Sequence, residues 1–284
     1  MSDAAHVEVE QVSRSLRTSR GTVIEVAREV TFDVRPGELV AVVGPSGAGK
    51  TTLLRIVGGL LQPSSGEVRH GGRRVEGVPD WLAFVFQDYS KSLFPWMTNW
   101  DNVGLALGRV SRRERTGRVT EALGRVGLQD FERQYPWELS GGMQQRVAIA
   151  RAIVSEPAVL LMDEPFASVD ALTRTKLEDT VLGLWHELRF SALLVTHDIS
   201  EAVYMADRIV VLSPRPSTVL ATIAVDLPRP RDTVSTRKHP AFAELYGAVL
   251  ELIERPGSGG DAQGVEGSAA EDETAWANTT TPGS

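Results

Sequence analysis

Residues 38–51, ELVAVVGPSGAGKT, join an uninterrupted apolar run to a glycine-rich turn and then to a helix-forming stretch. An apolar run without polar alternation reads as a strand covered on both faces. A helix from about Lys50 to Leu60 follows the turn. The turn meets G-x-x-x-x-G-K-[ST] at each fixed position. Gly44, Gly47 and Gly49 permit positive φ and close approach of a bound group, with Pro45, Ser46 and Ala48 completing the loop. The backbone N–H groups of Ser46 to Lys50 are placed to wrap a β-phosphate, and Lys50 to reach the β- and γ-phosphates. Thr51 offers a hydroxyl to Mg²⁺, beside Thr52 at the phosphate end of the helix.

Three further apolar runs repeat the pattern: AVLLMDE (158–164), SALLVTHD (191–198) and RIVVLS (208–213). Buried strands alternating with helices predict an α/β fold with a mostly parallel sheet covered on both faces. Residues 100–155 have helical periodicity instead and read as an inserted helical subdomain, spanning about 90–155. Pro240 to Arg255 reads as one amphipathic helix, closing a domain of residues 1–255. Residues 256–284 are Gly, Ser, Thr, Ala and acid, and are expected to be disordered. That tail holds five acids and no Lys or Arg, so most of the chain's net charge of −7 sits there and the body is near neutral. The net charge of −7 argues against a nucleic-acid surface. The absence of cysteine excludes disulfides and thiolate metal sites. The first residues, MSDAAHVEVEQVSRS, lack the apolar core of a signal peptide, and no run reaches the ~18–20 apolar residues that span a bilayer. Any membrane role must come through a partner.

Asp163 and Glu164 end the second apolar run, at the strand edge where open α/β sheets bind ligands. Asp163 is placed to hold Mg²⁺. Glu164 is expected on the opposite side of the strand, where a carboxylate can polarise an attacking water. His197 ends the third run and is a candidate γ-phosphate contact. Gln87, after the apolar FVF, is a candidate sensor of Mg²⁺ and the γ-phosphate. A second phosphate-like site is written in LSGGMQQR (139–146): Ser140 is a helix N-cap, followed by Gly141 and Gly142. A helix N-terminus of small residues is an anion receptor. Met143, Val147, Ala150 and Val154 give that helix its packing face.

The P-loop, Gln87, LSGG, LLMDE, SVD and VTHD, in that order, resemble the nucleotide-binding domain of ATP-binding cassette (ABC) proteins over about residues 7–250. The resemblance implies a P-loop ABC-type ATPase with an antiparallel β portion, an inserted helical subdomain, and ATP and Mg²⁺ as ligands. It also implies head-to-tail pairing of two such domains. In that pairing Ser140, Gly141 and Gly142 bind the γ-phosphate of ATP held by the other subunit's P-loop, and Asp170 lines the same interface. Two departures stand out. ASVD replaces the family's usual S-A-L-D, and Leu16 stands where the family stacks an aromatic on the adenine, in a loop after the first strand. No Phe, Tyr or Trp occurs before Phe32, so Leu16 packing on the base, or a cation–π contact from Arg14 or Arg17, is left to take its place. Weaker discrimination between ATP and GTP is expected.

One P-loop, one LSGG, no sustained heptads and no fused membrane helix together fit a separate importer subunit better than a soluble ATPase of the same fold acting on ribosomes or DNA. The stretch 88–103 carries Tyr89, Leu93, Phe94, Trp96 and Trp100, aromatic or apolar anchors where the family receives a helix of its membrane subunit. With LFPW, the LSPRPSTVLATIAVDLPRPRD stretch (212–232) and HPAFAELYGAVLELI, the chain resembles the nitrate/sulfonate/taurine importer subfamily. This implies an ATP-hydrolysing peripheral subunit at the cytoplasmic face of the membrane. It would work as a homodimer or with a paralogue, under two permease subunits, and indirectly with a solute-binding protein. The arginine run 108–118 reads as a solvated helix face.

Overall fold

The computed structural model describes residues 6–18, 21–88 and 92–254, so Tyr89 and the acidic tail lie outside the described residues. Two long strands, β1 (Val7–Arg17) and β2 (Val23–Val34), pair antiparallel. With β4 (Ser65–His70) and β5 (Arg73–Arg74) they form a four-stranded sheet in the order β2-β1-β4-β5. The second sheet runs β10-β9-β3-β8-β7-β6. Its strands are β3 (Leu39–Val43), β6 (Leu82–Val85), β7 (Val159–Asp163), β8 (Ser191–Val195), β9 (Arg208–Leu212) and β10 (Val219–Ala224). Neighbours in it are parallel, except β10, which lies antiparallel on β9.

The central strands explain their own sequences. Leu39, Ala41 and Val43 of β3 enter one core, and Val40 and Val42 enter the other. Leu160 and Met162 of β7 divide from Val159 and Leu161 in the same way. With both faces covered, alternation disappears from the sequence. One core lies under most of the helices, the other between this sheet, the antiparallel sheet and α1 (Lys50–Val57). α1 stops short of Leu60 because the Gly58–Gly59 pair ends it, Gly59 with φ +74°.

Between β6 and β7 the chain inserts α2 (Asn99–Gly104), α3 (Arg112–Arg125) and α4 (Gly141–Ile153). Thr98, Ser111 and Ser140 cap them, each side-chain oxygen accepting a backbone N–H three residues on. In the arginine run, Arg115 donates to the Gly104 and Gly108 carbonyls and Arg118 pairs with Glu114 and Glu156. Arg109, Arg112 and Arg113 are exposed, as on a solvated face. The remaining helices are α5 (Ala171–Leu188), α6 (Ile199–Met205), α7 (Thr233–Lys238) and α8 (Pro240–Glu254). Among the described residues no helix is long and apolar enough to cross a membrane.

Candidate functional site

β3 delivers the chain into the loop 44–49 and α1 carries it away. Gly49 is the N-cap of α1, with φ +86° and no side chain to cap the helix. A Cβ at Gly49 would lie 2.4 Å from Val26 Cγ1, so β2 floors the loop and only glycine fits. The first-turn N–H groups of α1 have no capping side chain, as an anion receptor requires. The Lys50 ammonium is buried and donates to the Gly44 and Pro45 carbonyls at 2.8 and 3.0 Å. Burial lowers its pKa, and the nearby Glu164 and Asp163 charges oppose that shift.

Asp163 closes β7 and is buried. It accepts a hydrogen bond from the Thr51 hydroxyl at 3.0 Å. Burial raises its pKa against the pull of that bond. Glu164 reaches its place differently from the strand alternation expected. The chain leaves extended geometry there, with φ 43°, and the Glu164 N–H donates to the Val195 carbonyl at 2.8 Å. A left-handed residue other than glycine is strained, and such strain gathers at functional sites. The turn brings Glu164 Oε2 within 3.2 Å of Gln87 Nε2, which donates to it, and 3.1 Å from His197 Nδ1. Gln87, Glu164 and His197, from three separate loops, therefore meet beside the Thr51–Asp163 pair.

Ser140 is the N-cap of α4, its Oγ accepting the Met143 N–H at 3.4 Å. Ser140 is exposed, and among the described residues no hydrogen bond joins 140–142 to the P-loop. Gly142 instead rests on α5, where a Cβ would lie 2.3 Å from Thr173 Cγ2. Asp170 caps α5, its Oδ1 accepting the Leu172 and Thr173 N–H groups at 3.1 Å. A hydrogen bond from the Thr173 side chain, with these backbone bonds, holds its pKa low. Ser140, Gly141, Gly142 and Asp170 thus share one surface, apart from the P-loop cluster. Val147, Ala150 and Val154 are buried in the core beneath, with Met143 packed against it.

Leu16 lies within β1, paired with Ile24, not in a loop beyond the first strand: hydrogen bonding to β2 carries that strand to Arg17. It is partly buried. The Arg14 guanidinium donates to the Gln62 carbonyl at 2.9 Å, which ties it to the loop before β4. The aromatic stretch divides in two. Leu93 and Trp100 join the core, whereas Phe94 and Trp96 are 40 and 71 % exposed with ring centroids 5.2 Å apart. Buried Asn102 holds their loop, accepting the Phe94 N–H and donating to the carbonyls of Phe94, Met97 and Thr98. Phe94 borders a groove of about 380 Å³ with Phe84, Phe86, Leu105 and Arg151. Phe86 was not marked by its sequence. It ends an apolar strand run, and its exposure comes from the groove, not from any periodicity.

A P-loop at the end of β3, a mixed sheet and an inserted helical subdomain define a nucleotide-hydrolysing cassette. The ABC transporter family profile matches residues 27–167. A nitrate import ATP-binding protein, NrtD, of Synechocystis sp. is 42 % identical over 255 residues, 87 % of this chain and 95 % of that protein. An aliphatic sulfonates import ATP-binding protein, SsuB, of Bacillus licheniformis is 43 % identical over 229 residues, covering 81 % of this chain and 87 % of the relative. The dimeric post-hydrolysis structure of the ATP-binding cassette MJ0796, bound to ADP and Pi, superposes with a TM-score of 0.68 at 32 % identity, covering 77 % of this chain and 98 % of that one. The chain belongs to the ABC transporter family, as an ATP-binding, ATP-hydrolysing cassette.

Proposed function

We propose that this protein energises an importer for a small anion of the nitrate or sulfonate class, with hydrolysis at the Thr51–Asp163–Gln87–Glu164–His197 cluster. The observation that carries the site is the convergence of Gln87 and His197 on Glu164 Oε2, at 3.2 and 3.1 Å, beside the P-loop. The importer class rests on the two import relatives.

The residues fit magnesium. Thr51 and Asp163 present hard oxygen donors 3.0 Å apart, and Asp163 is a buried carboxylate whose charged form gains from a cation. Magnesium commonly takes few protein ligands and completes its shell with water and phosphate oxygens. Thr51 and Asp163 would hold it, with Gln87 at its edge, and it would supply charge neutralisation at the phosphates. The N–H groups of Ser46 to Lys50 bind the β-phosphate, with Gly44, Pro45, Gly47, Ala48, Gly49 and Thr52 shaping the cradle. Lys50 exchanges its loop carbonyls for the β- and γ-phosphates. Glu164 accepts a hydrogen bond from the attacking water. His197, oriented by Glu164 through Nδ1, turns Nε2 to the γ-phosphate. Leu16 lies against the base.

The exposed Ser140 and the half-buried Gly141 and Gly142 receive the γ-phosphate from a second copy or a paralogue, with Asp170 beside them. The dimeric MJ0796 cassette supports such pairing. The groove at Phe86, Phe94 and Leu105, with Trp96 at its rim, receives one permease subunit, so that the paired cassettes serve two. The protein is thereby held at the cytoplasmic face of the membrane, and a solute-binding protein supplies the solute. Pull-down of tagged protein from detergent-solubilised membranes tests this reading. A polytopic partner that, in vesicles, imports nitrate or an alkanesulfonate on ATP addition is the expected result. Recovery of ribosomes or nucleic acid overturns the importer assignment.

A further inference from the structure

Between α5 and α6 runs a seam of buried charge that the nucleotide chemistry does not use. Arg174 and Glu178 lie one turn apart on α5, facing Asp198 and Glu201 at the start of α6. Arg174 Nη1 donates to Asp198 Oδ2 at 3.0 Å. Beside this pair, Glu178 and Glu201 are 1 and 4 % exposed. The seam fastens both neighbours of His197. Asp198 caps α6 through the Ser200 and Glu201 N–H groups. The Thr196 hydroxyl donates to Glu201 Oε2 at 3.1 Å and accepts the Asp198 N–H at 3.0 Å.

The segment 229–237 straps the seam from outside. Arg229 lies 4.3 Å over the Trp185 ring and pairs with Asp207. Arg231 donates to the Tyr204 and Ala206 carbonyls at the end of α6. Thr233 and the Tyr204 hydroxyl both donate to Asp179 of α5. Arg237 Nη2 donates to Glu178 Oε2 at 2.6 Å, its guanidinium 5.1 Å from the Tyr204 ring centroid.

The charges do not balance. Among the described residues, the cations paired with the acids Asp198, Glu178 and Glu201 are Arg174 and Arg237, while Asp179 is taken up by Tyr204 and Thr233. A buried carboxylate without a cation is costly, so one of the acids keeps a proton. Burial pushes Glu201 well up, and the Glu178 charge adds to that rise. Burial also pushes Glu178 up to about 7, against the downward pull of Arg237.

We propose that Arg237 is a positioning residue for His197: by pairing with Glu178 it leaves Arg174 to Asp198, and so fixes the Thr196–His197–Asp198 turn. This rests on the assignment of His197 to the γ-phosphate. Without Arg237, an ionised Glu178 is an unpaired anion inside the seam. It competes with Asp198 for Arg174 and draws water between the helices, and the turn loses its fixed orientation. A protonated Glu178 does none of this. Loss of Arg237 also removes the cation that lowers the Glu178 pKa, so Glu178 holds its proton to higher pH. The defect is therefore small in mild acid and grows as pH rises.

The test is steady-state Mg-ATP hydrolysis by the full-length chain from pH 6 to 9. Arg237→Gln is expected to show a kcat about tenfold below wild type at pH 8.5, less than the ~10²-fold that a 1 Å misplacement can cost. The same variant approaches wild type at pH 6.5, with KM for ATP within about twofold throughout. Arg237→Lys, which keeps the charge, stays near wild type. Glu178→Gln in the Arg237→Gln background removes the anion, restores kcat and flattens the pH dependence. Arg237→Gln matching wild type at every pH overturns the proposal, as does a deficit equal at every pH and unrelieved by Glu178→Gln. Should Arg237→Gln not fold, the other two variants decide: both near wild type supports the proposal, and a double variant as inactive as His197→Ala overturns it. His197→Ala separates the two levels. Wild-type turnover there removes the His197 assignment itself, whereas an inactive His197→Ala beside a normal Arg237→Gln removes only the strap.

Discussion

Two helix N-termini in this molecule are built to meet an anion, and they are built differently. At α1 the N-cap is a glycine without a capping side chain, and a buried Lys50, a buried Asp163 and the Thr51 hydroxyl surround it. At α4 the N-cap is an exposed serine whose hydroxyl already accepts from its own helix, at a long 3.4 Å, with no cation among residues 140–142. The first is a chemical site furnished with charge, donor and base. The second is a receptor with dipole and N–H groups alone. In the proposed pairing, a receptor of that kind, resting on α5 beside Asp170, would recognise a phosphate whose chemistry is carried out elsewhere. On the proposed function, the difference is that between a site that reacts and a site that reports the presence of ATP.

The comparison breaks first at Glu164. Glu164→Gln is expected to bind ATP and to lose about 10²–10⁴-fold in turnover, the range for removing a general base. Near-normal hydrolysis would move the base away from this cluster.

A mixing experiment sharpens the division of labour. Lys50→Ala damages the first site and Ser140→Arg blocks the second, so each variant alone is inactive. If the two ends belong to different subunits, an equimolar mixture forms hybrids with one undamaged site, and activity returns to at most about a quarter of wild type. A mixture as inactive as its parents would mean that 140–142 do not serve a neighbour's nucleotide.

The groove carries a smaller effect. Trp96→Ala is expected to weaken permease binding about tenfold, read by titration in detergent, as for an aromatic anchor at an interface. Unchanged affinity would assign Trp96 to bare surface. The smallest effect is at the base. Leu16→Tyr should raise the preference for ATP over GTP by a few-fold, in keeping with the ~0.5–1.5 kcal/mol of an aromatic stacking pair. A wild-type protein that already prefers ATP strongly would place the base on another residue.

The two helix ends also differ in how visible they were. Both motifs could be read because an anion receptor made of consecutive N–H groups is contiguous in the chain: 44–51 and 139–142 each contain all of theirs. Strand, glycine turn and helix follow from the same local rules, and the unbroken apolar runs within β3, β7, β8 and β9 announced a sheet covered on both faces. β1 was harder. Its pairing with β2 runs on to Arg17 through several register shifts, which put Leu16 inside a strand. The aromatic stretch 93–100 could not be divided between core and surface without the bonds that buried Asn102 makes.

The sequence by itself determined the nucleotide cradle, the acid at the end of β7 and the small-residue cap of α4, because each depends on backbone within a few residues. Only the tertiary structure decided that Gln87, Glu164 and His197 meet, since three strand ends must be brought side by side and Glu164 must take a left-handed turn. It alone placed Arg237 on Glu178 and Arg174 on Asp198 as well. The physical reason is one of range. Backbone dipoles and turn preferences act over neighbouring residues, whereas the partners of a buried charge are chosen by whichever helices pack around it.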